Sequence, residues 1–273
     1  MGKFDGILLA TDLDDTLLTS DKMVSEENIE ALKYFMDNGG LFTFATGRVP
    51  KGVKLIRPYI EPNAPMVSYN GGAIYDFKSE DFLWLAHLDK GAIRVMEYVD
   101  KVLPYAGIET STQKAIYFNK VNHIVEEHKA LEKFPDNYCD YHDIKEPIMK
   151  VIFMVETYQM EEFREALSNS EFYNNYEFIQ SSPWYYEMLP KGASKGAGLL
   201  KLKEITGAKF TIGMGDNEND VTLVKNADFG VAVANAADCV KEVANYITRN
   251  DHNNHAVAEV VKMLDMGKIE IGR

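Results

Sequence analysis

Three carboxylates crowd one short stretch, Asp12, Asp14 and Asp15, directly after the apolar run Ile7–Ala10. The run reads as a buried strand, and in an open parallel sheet ligands bind beyond the carboxyl ends of the strands. Acidic groups packed this closely repel unless a cation or a proton is shared. Asp12 and Asp14 are two residues apart, so one can attack an electrophile while the other moves a proton. An Asp-rich turn after a strand would explain the same residues without chemistry.

Other stretches carry complementary groups. Thr46-Gly47-Arg48 follows a second apolar run, Leu41–Ala45, where a hydroxyl and backbone N–H groups at a strand-to-helix turn can hold a phosphate oxygen. Lys195 stands at the start of a helical pattern, the end at which the helix dipole disfavours a cation, so an anion or a carboxylate cluster opposite would give its charge a use. Gly213-Met-Gly215-Asp216-Asn217-Glu218-Asn219-Asp220 follows another buried strand. Asp216 and Asp220 are spaced to share one face of a helix, and hard oxygen ligands gathered this way suit Mg²⁺. Rival motifs fail: Ala227 stands where an EF-hand needs Glu, and Glu218 where a dinucleotide fingerprint needs its third glycine. No Walker-type phosphate loop occurs anywhere.

These groups need a scaffold that brings distant segments together. Strand Gly6–Asp12, a helix capped by Ser25 and stopped at Gly39-Gly40, and strand Leu41–Ala45 form a crossover unit of a doubly wound sheet. The rhythm returns with a helix over Ser194–Thr206, strands over Lys209–Gly213 and Phe229–Val233, a short helix from Glu218 to Lys225, and a last helix carrying Val257, Val260, Val261 and Leu264. Between them, strands Ala115–Phe118, Lys150–Val155 and Tyr185–Leu189 are more amphipathic and aromatic, and helical patterns Lys90–Val102, Asn122–Leu131 and Met160–Ser168 separate them. The expectation is an α/β, Rossmann-like, doubly wound parallel sheet over 1–82 and 189–273, with an inserted α+β domain over 83–188.

Taken together, Asp12-x-Asp14-x-Thr16, Thr46-Gly47-Arg48, Lys195-Gly196 and Gly215-Asp216-x-x-Asn219-Asp220 resemble, in order, the motifs of the haloacid dehalogenase superfamily, specifically its Cof-type phosphatases with a C2 cap. Lesser matches are Asn70-Gly71, Glu187 and Asn235-Ala236, and the resemblance covers the whole chain. It implies that Asp12 is a nucleophile forming an aspartyl-phosphate and that Asp14 is general acid and then base. Thr46, Gly47, Lys195 and Asn219 would bind phosphate. Mg²⁺ would sit on Asp12, the backbone oxygen of Asp14 and Asp216, with Asp220 supporting it. The inserted domain would be a cap that covers the site and reads the leaving group, with Lys114, His123, Trp184, Tyr185 and Tyr186 as candidate lining residues among mostly structural aromatics. Two departures stand out: Asp15 replaces the family's usual Gly, and His255-Ala256-Val257-Ala258 replaces its Asp-Gly-Val-Ala, next to Asn250 and Asp251.

Composition narrows the partners. With Lys plus Arg at 29 and Asp plus Glu at 42, the 273-residue chain carries a formal charge of −13, poorly suited to nucleic acid or an anionic membrane. A small anionic ligand at one local site remains compatible. Cys139 and Cys239 make no disulfide framework, and no signal-peptide core, membrane span or myristoylation signal is present, so a cytoplasmic protein is expected. The favoured function is a Mg²⁺-dependent phosphatase acting on a small phosphorylated metabolite. Sugar phosphates come first, and a phosphorylated cofactor such as flavin mononucleotide or pyridoxal phosphate second. A phosphomutase on the same fold and a non-catalytic Mg²⁺/phosphate-binding regulator are the alternatives, and the oligomeric state is left open.

Overall fold

The computed structural model describes residues 2–54 and 56–271. In chain order the strands are β1 (Ile7–Thr11), β2 (Leu41–Phe44), β3 (Met66–Ser68), β4 (Ala73–Asp76), β5 (Asp81–Leu85), β6 (Gly107–Thr112), β7 (Ile116–Lys120), β8 (Ile148–Met154), β9 (Glu177–Ser182), β10 (Tyr185–Leu189), β11 (Phe210–Gly215), β12 (Phe229–Ala232) and β13 (Tyr246–Ile247). The helices are α1 (Glu26–Asp37), α2 (Ala92–Val102), α3 (His123–Glu132), α4 (Met160–Ser168), α5 (Lys195–Thr206), α6 (Val221–Asn226), α7 (Asp238–Lys241) and α8 (Ala256–Asp265). They divide into two compact units, Met1–Trp84 with Ser194–Arg273, and Leu85–Ala193.

The first unit is built on a five-stranded sheet in the order β13-β12-β11-β1-β2. Every described pairing in it is parallel, with Ala10 opposite Gly213 and Thr11 opposite Met214. β1 and β11 are buried along their whole length, the expected state of strands covered by helices on both faces. Leu9, Phe42, Ile212 and Val231 belong to one core cluster, and Leu8, Ala10, Leu199 and Leu223 to another. Ser25 caps α1 by accepting from the Asn28 N–H at 3.3 Å, and α5 ends on Gly207 in the left-handed conformation.

The second unit has an antiparallel five-stranded sheet, β7-β6-β8-β10-β9. Its core joins Val95, Met96 and Val99 of α2 with Phe163 and Leu167 of α4 and Val151 and Phe153 of β8. A second cluster sets Ile124 and Val125 of α3 against Phe118, Ile152 and Met154. The sequence reading has no counterpart for β6, β9 or the three-stranded sheet β3-β4-β5. β6 reads Gly-Ile-Glu-Thr-Ser-Thr, a largely polar string, yet all of it is buried as an interior strand paired with β7 on one edge and β8 on the other. Pairing across a sheet overrides local polarity here.

At the join of β11 and β12, Asp228 accepts from the Thr211 N–H, the Thr211 hydroxyl and Lys203 Nζ at 2.8, 2.8 and 2.7 Å. Burial pushes its carboxyl up, but these donors outweigh it and hold the pKa below the usual range. The ionised form is therefore favoured in the folded state, and the stabilisation is present above about pH 4 and lost as pH falls through the lowered folded-state value. Asp228→Asn is expected to lose about 1 kcal/mol at pH 7, at the low end for a charged hydrogen-bonded group that is partly exposed. Urea unfolding across pH should show the gap to wild type closing as the medium becomes acidic.

Candidate functional site

β1 ends at Thr11, and the chain turns out of the sheet at Asp12, whose N–H still donates to the Met214 carbonyl at 2.9 Å. That bond places Asp12 beside the end of β11, where Asp216 and Asp220 follow. One carboxylate oxygen from each of Asp12, Asp216 and Asp220 lies within 4.8 Å of the others. Lys195, at the first turn of α5, reaches into this group: its Nζ is 2.7 Å from Asp12 Oδ1 and 2.6 Å from Asp220 Oδ1. Its side chain has no exposure to solvent. Ser194 caps α5 by accepting from the Ala197 N–H at 3.1 Å, which fixes where Lys195 begins.

The carboxylates differ in what their oxygens already hold. Asp220 is saturated, since Oδ1 takes Lys195 and Oδ2 accepts from the backbone N–H groups of Asp216 and Asn217, both at 3.1 Å. Asp216 Oδ1 accepts from the Thr16 hydroxyl at 2.7 Å. Asp14 faces elsewhere: Arg48 grips it with Nε at 2.9 Å and Nη2 at 3.0 Å, and Lys22 Nζ adds a contact at 3.0 Å. The expected site residues thus form a buried cluster of Asp12, Lys195, Asp216 and Asp220, with the Asp14 side chain in a separate cationic clamp.

Electrostatics follow from this geometry. Burial, together with Asp220, Asp216 and Asp14, pushes the Asp12 carboxyl well above the usual range even against Lys195. Burial and then Asp220 raise Asp216 to about 7. Burial opposes the charge of Lys195, but Asp12 and Asp220 outweigh it and hold the ammonium protonated. Asp14 goes the other way: Arg48 and Lys22 overcome its burial and lower it to about 2. Fully ionised, three carboxylates around one ammonium would carry excess negative charge, which adds to burial in pushing Asp12 and Asp216 up and which a divalent cation would neutralise. The hard oxygen set fits Mg²⁺, with Asp12 and Asp216 as the carboxylates not saturated by N–H donors.

The remaining expected residues lie close by. Thr46 is buried, its Oγ1 accepts from the Arg48 N–H at 3.1 Å, and its own N–H donates to the Val67 carbonyl at 3.0 Å. Asn219 is buried and its Nδ2 donates to Asn70 Oδ1 at 3.1 Å, and the Gly47 backbone lies against the same Asn70 amide.

The haloacid dehalogenase-like hydrolase profile matches residues 9–261, nearly the whole chain. The chain belongs to the haloacid dehalogenase-like hydrolases. A 5-amino-6-(5-phospho-D-ribitylamino)uracil phosphatase of Bacillus subtilis is 28% identical over 245 residues, covering 88% of this chain and 89% of its own. The crystal structure of a haloacid dehalogenase-like hydrolase from Bacteroides thetaiotaomicron superposes with a TM-score of 0.80 at 25% identity, covering 96% of this chain and 99% of the other. A HAD subclass IIB sugar phosphatase has the same fold, with a TM-score of 0.80 at 20% identity and coverage of 96% and 99%.

Within this haloacid dehalogenase-like fold, several expectations need correcting. Asp216 and Asp220 do not share a helix face: Asp216 precedes the helical turn Glu218–Asp220 that leads into α6, and the two meet because Asp220 accepts from the Asp216 N–H. The helical segment after Thr46-Gly47-Arg48 is a single turn, Pro50–Val53. Asp15, where the family usually has Gly, sits at φ +56°, a left-handed conformation that Asp tolerates better than most residues. Its carboxylate faces Lys22 at 4.0 Å and His252 at 3.7 Å. His255 also has positive φ, begins α8 and faces Glu27 at 3.3 Å. The Lys22 contact to Asp14 has no motif around it, and the Thr16 bond to Asp216 spans 200 positions, so neither is legible from spacing.

Removing the ammonium would leave Asp12 and Asp220 buried without their shared partner. Lys195→Met is therefore expected to destabilise the protein by about 3–5 kcal/mol in denaturant unfolding near neutral pH.

Proposed function

We propose that this haloacid dehalogenase-like hydrolase cleaves phosphate monoesters of small polyol or sugar metabolites through an aspartyl-phosphate on Asp12, with Mg²⁺ as cofactor. The observation that carries the reading is the buried Lys195 held between Asp12 and Asp220, beside an Asp216 whose carboxylate still has an oxygen to offer. The relative at 28% identity is named for a phosphatase of a ribityl phosphate, a monoester on a polyol chain, which favours that substrate class. The residues assigned to the chemistry all belong to the first unit, and Leu85–Ala193 takes the part of the family's cap.

In this reading an Asp12 oxygen attacks phosphorus, the bond from phosphorus to the ester oxygen breaks, and the departing alkoxide receives a proton from Asp14. Asp14 then takes a proton from water, whose oxygen attacks the phosphorus of the aspartyl-phosphate, releasing inorganic phosphate and restoring Asp12. Lys195 favours the ionised form of Asp12 against its burial and its acidic neighbours, and it offsets the charge that gathers as an anionic nucleophile approaches an anionic ester. Thr46 and Asn219, with the Gly47 backbone, hold the phosphoryl oxygens. Asp14 clamped by Arg48 and Lys22 is in its base form, so it must exchange those partners to carry a proton. A divalent cation held by Asp12, Asp216 and the Asp14 backbone oxygen would supply charge neutralisation at the phosphate.

p-Nitrophenyl phosphate is a sufficient first substrate. Hydrolysis should require Mg²⁺, vanish with EDTA and return on readdition. Asp12→Asn should lose at least about 10³-fold in kcat, because the nucleophile is gone. Asp14→Asn should lose about 10²–10⁴-fold on an alkyl phosphate, the range of a general acid–base contribution. Undiminished turnover in Asp12→Asn would overturn the covalent mechanism. A screen of phosphorylated metabolites read by phosphate release would then identify the ester.

A further inference from the structure

The turn between β3 and β4 has unusual backbone. Tyr69, Asn70 and Gly71 are consecutive left-handed residues, with φ of +51°, +51° and +92°. Asn and Gly adopt that region readily, but a buried tyrosine does so rarely. Backbone held in a sparsely populated region is maintained only where surrounding contacts over-determine it, and such residues cluster at functional sites.

Besides the β3–β4 pairing and a Tyr69–Phe82 ring contact, several contacts of this turn lead to the proposed phosphate site. The Asn70 N–H donates to the Thr46 carbonyl at 3.1 Å. Its side-chain amide lies against Gly47 so closely that a Cβ there would come within 2.9 Å of Asn70 Nδ2. Asn70 Oδ1 accepts from Asn219 Nδ2 at 3.1 Å, across 149 positions of sequence. Gly71 packs on the start of α5, where an added Cβ would overlap the Ser194 carbonyl and lie 2.9 Å from the Lys195 nitrogen. The turn therefore touches three separate segments that carry the proposed phosphate-binding residues.

The pairing also leaves one end of the Asn219 amide unoccupied. Asn219 Oδ1 is buried and has no hydrogen-bond partner, an arrangement that costs free energy unless something binds there. Oxygen and nitrogen of an amide are interchangeable by a half-turn, and rotating both amides keeps the Asn70–Asn219 bond while making the free end an N–H donor, which a phosphate oxygen requires.

We propose that Asn70 is a positioning residue for phosphate binding: its amide locks Asn219 and the Thr46–Gly47 turn into one rigid receptor for the phosphoryl oxygens. This rests on the proposed phosphatase reading. Asn70→Gly removes the amide while preserving the left-handed backbone, so it separates the side chain's role from that of the turn.

The test measures inorganic phosphate affinity by calorimetry, KM and kcat for p-nitrophenyl phosphate, and the thermal midpoint. These are compared for wild type, Asn70→Gly, Asn219→Ala and the double variant, all with Mg²⁺. The expectation for Asn70→Gly is an about ten-fold loss of phosphate affinity with a matching rise in KM, at an unchanged midpoint. The loss in the double variant should be smaller than the sum of the two single losses, because part of the effect of Asn70 runs through Asn219. Should Asn70→Gly lower the midpoint, Asn70→Asp keeps the shape and the left-handed tolerance, and it carries the same expectation of non-additivity with Asn219→Ala. Wild-type phosphate affinity in Asn70→Gly, or losses that simply add in the double variant, would overturn the assignment. A wild-type protein that binds phosphate without hydrolysing the ester would remove the phosphatase reading and leave the Asn70 assignment to stand or fall on affinity alone. A wild-type protein that binds no phosphate removes both.

Discussion

A lysine ammonium removed from water is stable only when carboxylates meet it at hydrogen-bonding distance, and Lys195 sets that condition at the centre of this protein. Its two partners come from opposite regions of the chain, Asp12 at the exit of β1 and Asp220 just before α6. Bringing them within reach requires β1 and β11 to lie side by side and in parallel, and the Met214 carbonyl to receive the Asp12 N–H. It also requires α5 to begin at Ser194, so that its first side chain points into the cluster rather than to solvent. The parallel sheet, the cap of α5 and the tight approach of β11 to α6 are thus conditions for one buried ion cluster.

The same cluster shows how one residue type takes several states. Asp220 has both oxygens occupied by N–H donors and acts as a fixed anchor. Asp14 is surrounded by Arg48 and Lys22, which keep it ionised. Asp12 and Asp216 are buried among like charges and are pushed towards the neutral form. For the proposed phosphate ligand this asymmetry is favourable: the charge that would repel it lies on carboxylates that a divalent cation or Lys195 can neutralise. The chain's charge of −13 is therefore unevenly placed, with part of it gathered in a carboxylate group that could hold a metal ion.

Much of the fold was legible because buried parallel strands must be apolar along their length. The runs Ile7–Ala10, Leu41–Ala45 and Phe229–Val233 have that character, and Ser25 and Gly39-Gly40 bracket α1 with ordinary cap chemistry. β6 was not legible because its residues are mostly polar although it is a buried interior strand, and β9 was not legible because it is a half-buried edge strand of mixed composition. The helical spacing of Asp216 and Asp220 suggested the right proximity for the wrong reason, because Asp216 lies before the helical turn that contains Asp220. Lys22 looked like any surface lysine, and its contact with Asp14 arises only because the loop after Asp15 folds back across it.

By itself, the sequence determined which residue types are present at the strand exits, their order along the chain, and the family to which that order belongs. Those features depend on local composition and spacing, which a linear chain records. Only the tertiary structure decided that Asp12 and Asp14 point to different partners, that Asp220 is saturated while Asp216 is not, and that a strained turn at Tyr69–Gly71 binds Gly47 to Asn219. The reason is physical. The protonation state and orientation of a side chain depend on which groups lie within a few ångströms, and here many of those groups come from segments far apart in the chain, such as Lys195 against Asp12 and Arg48 against Asp14.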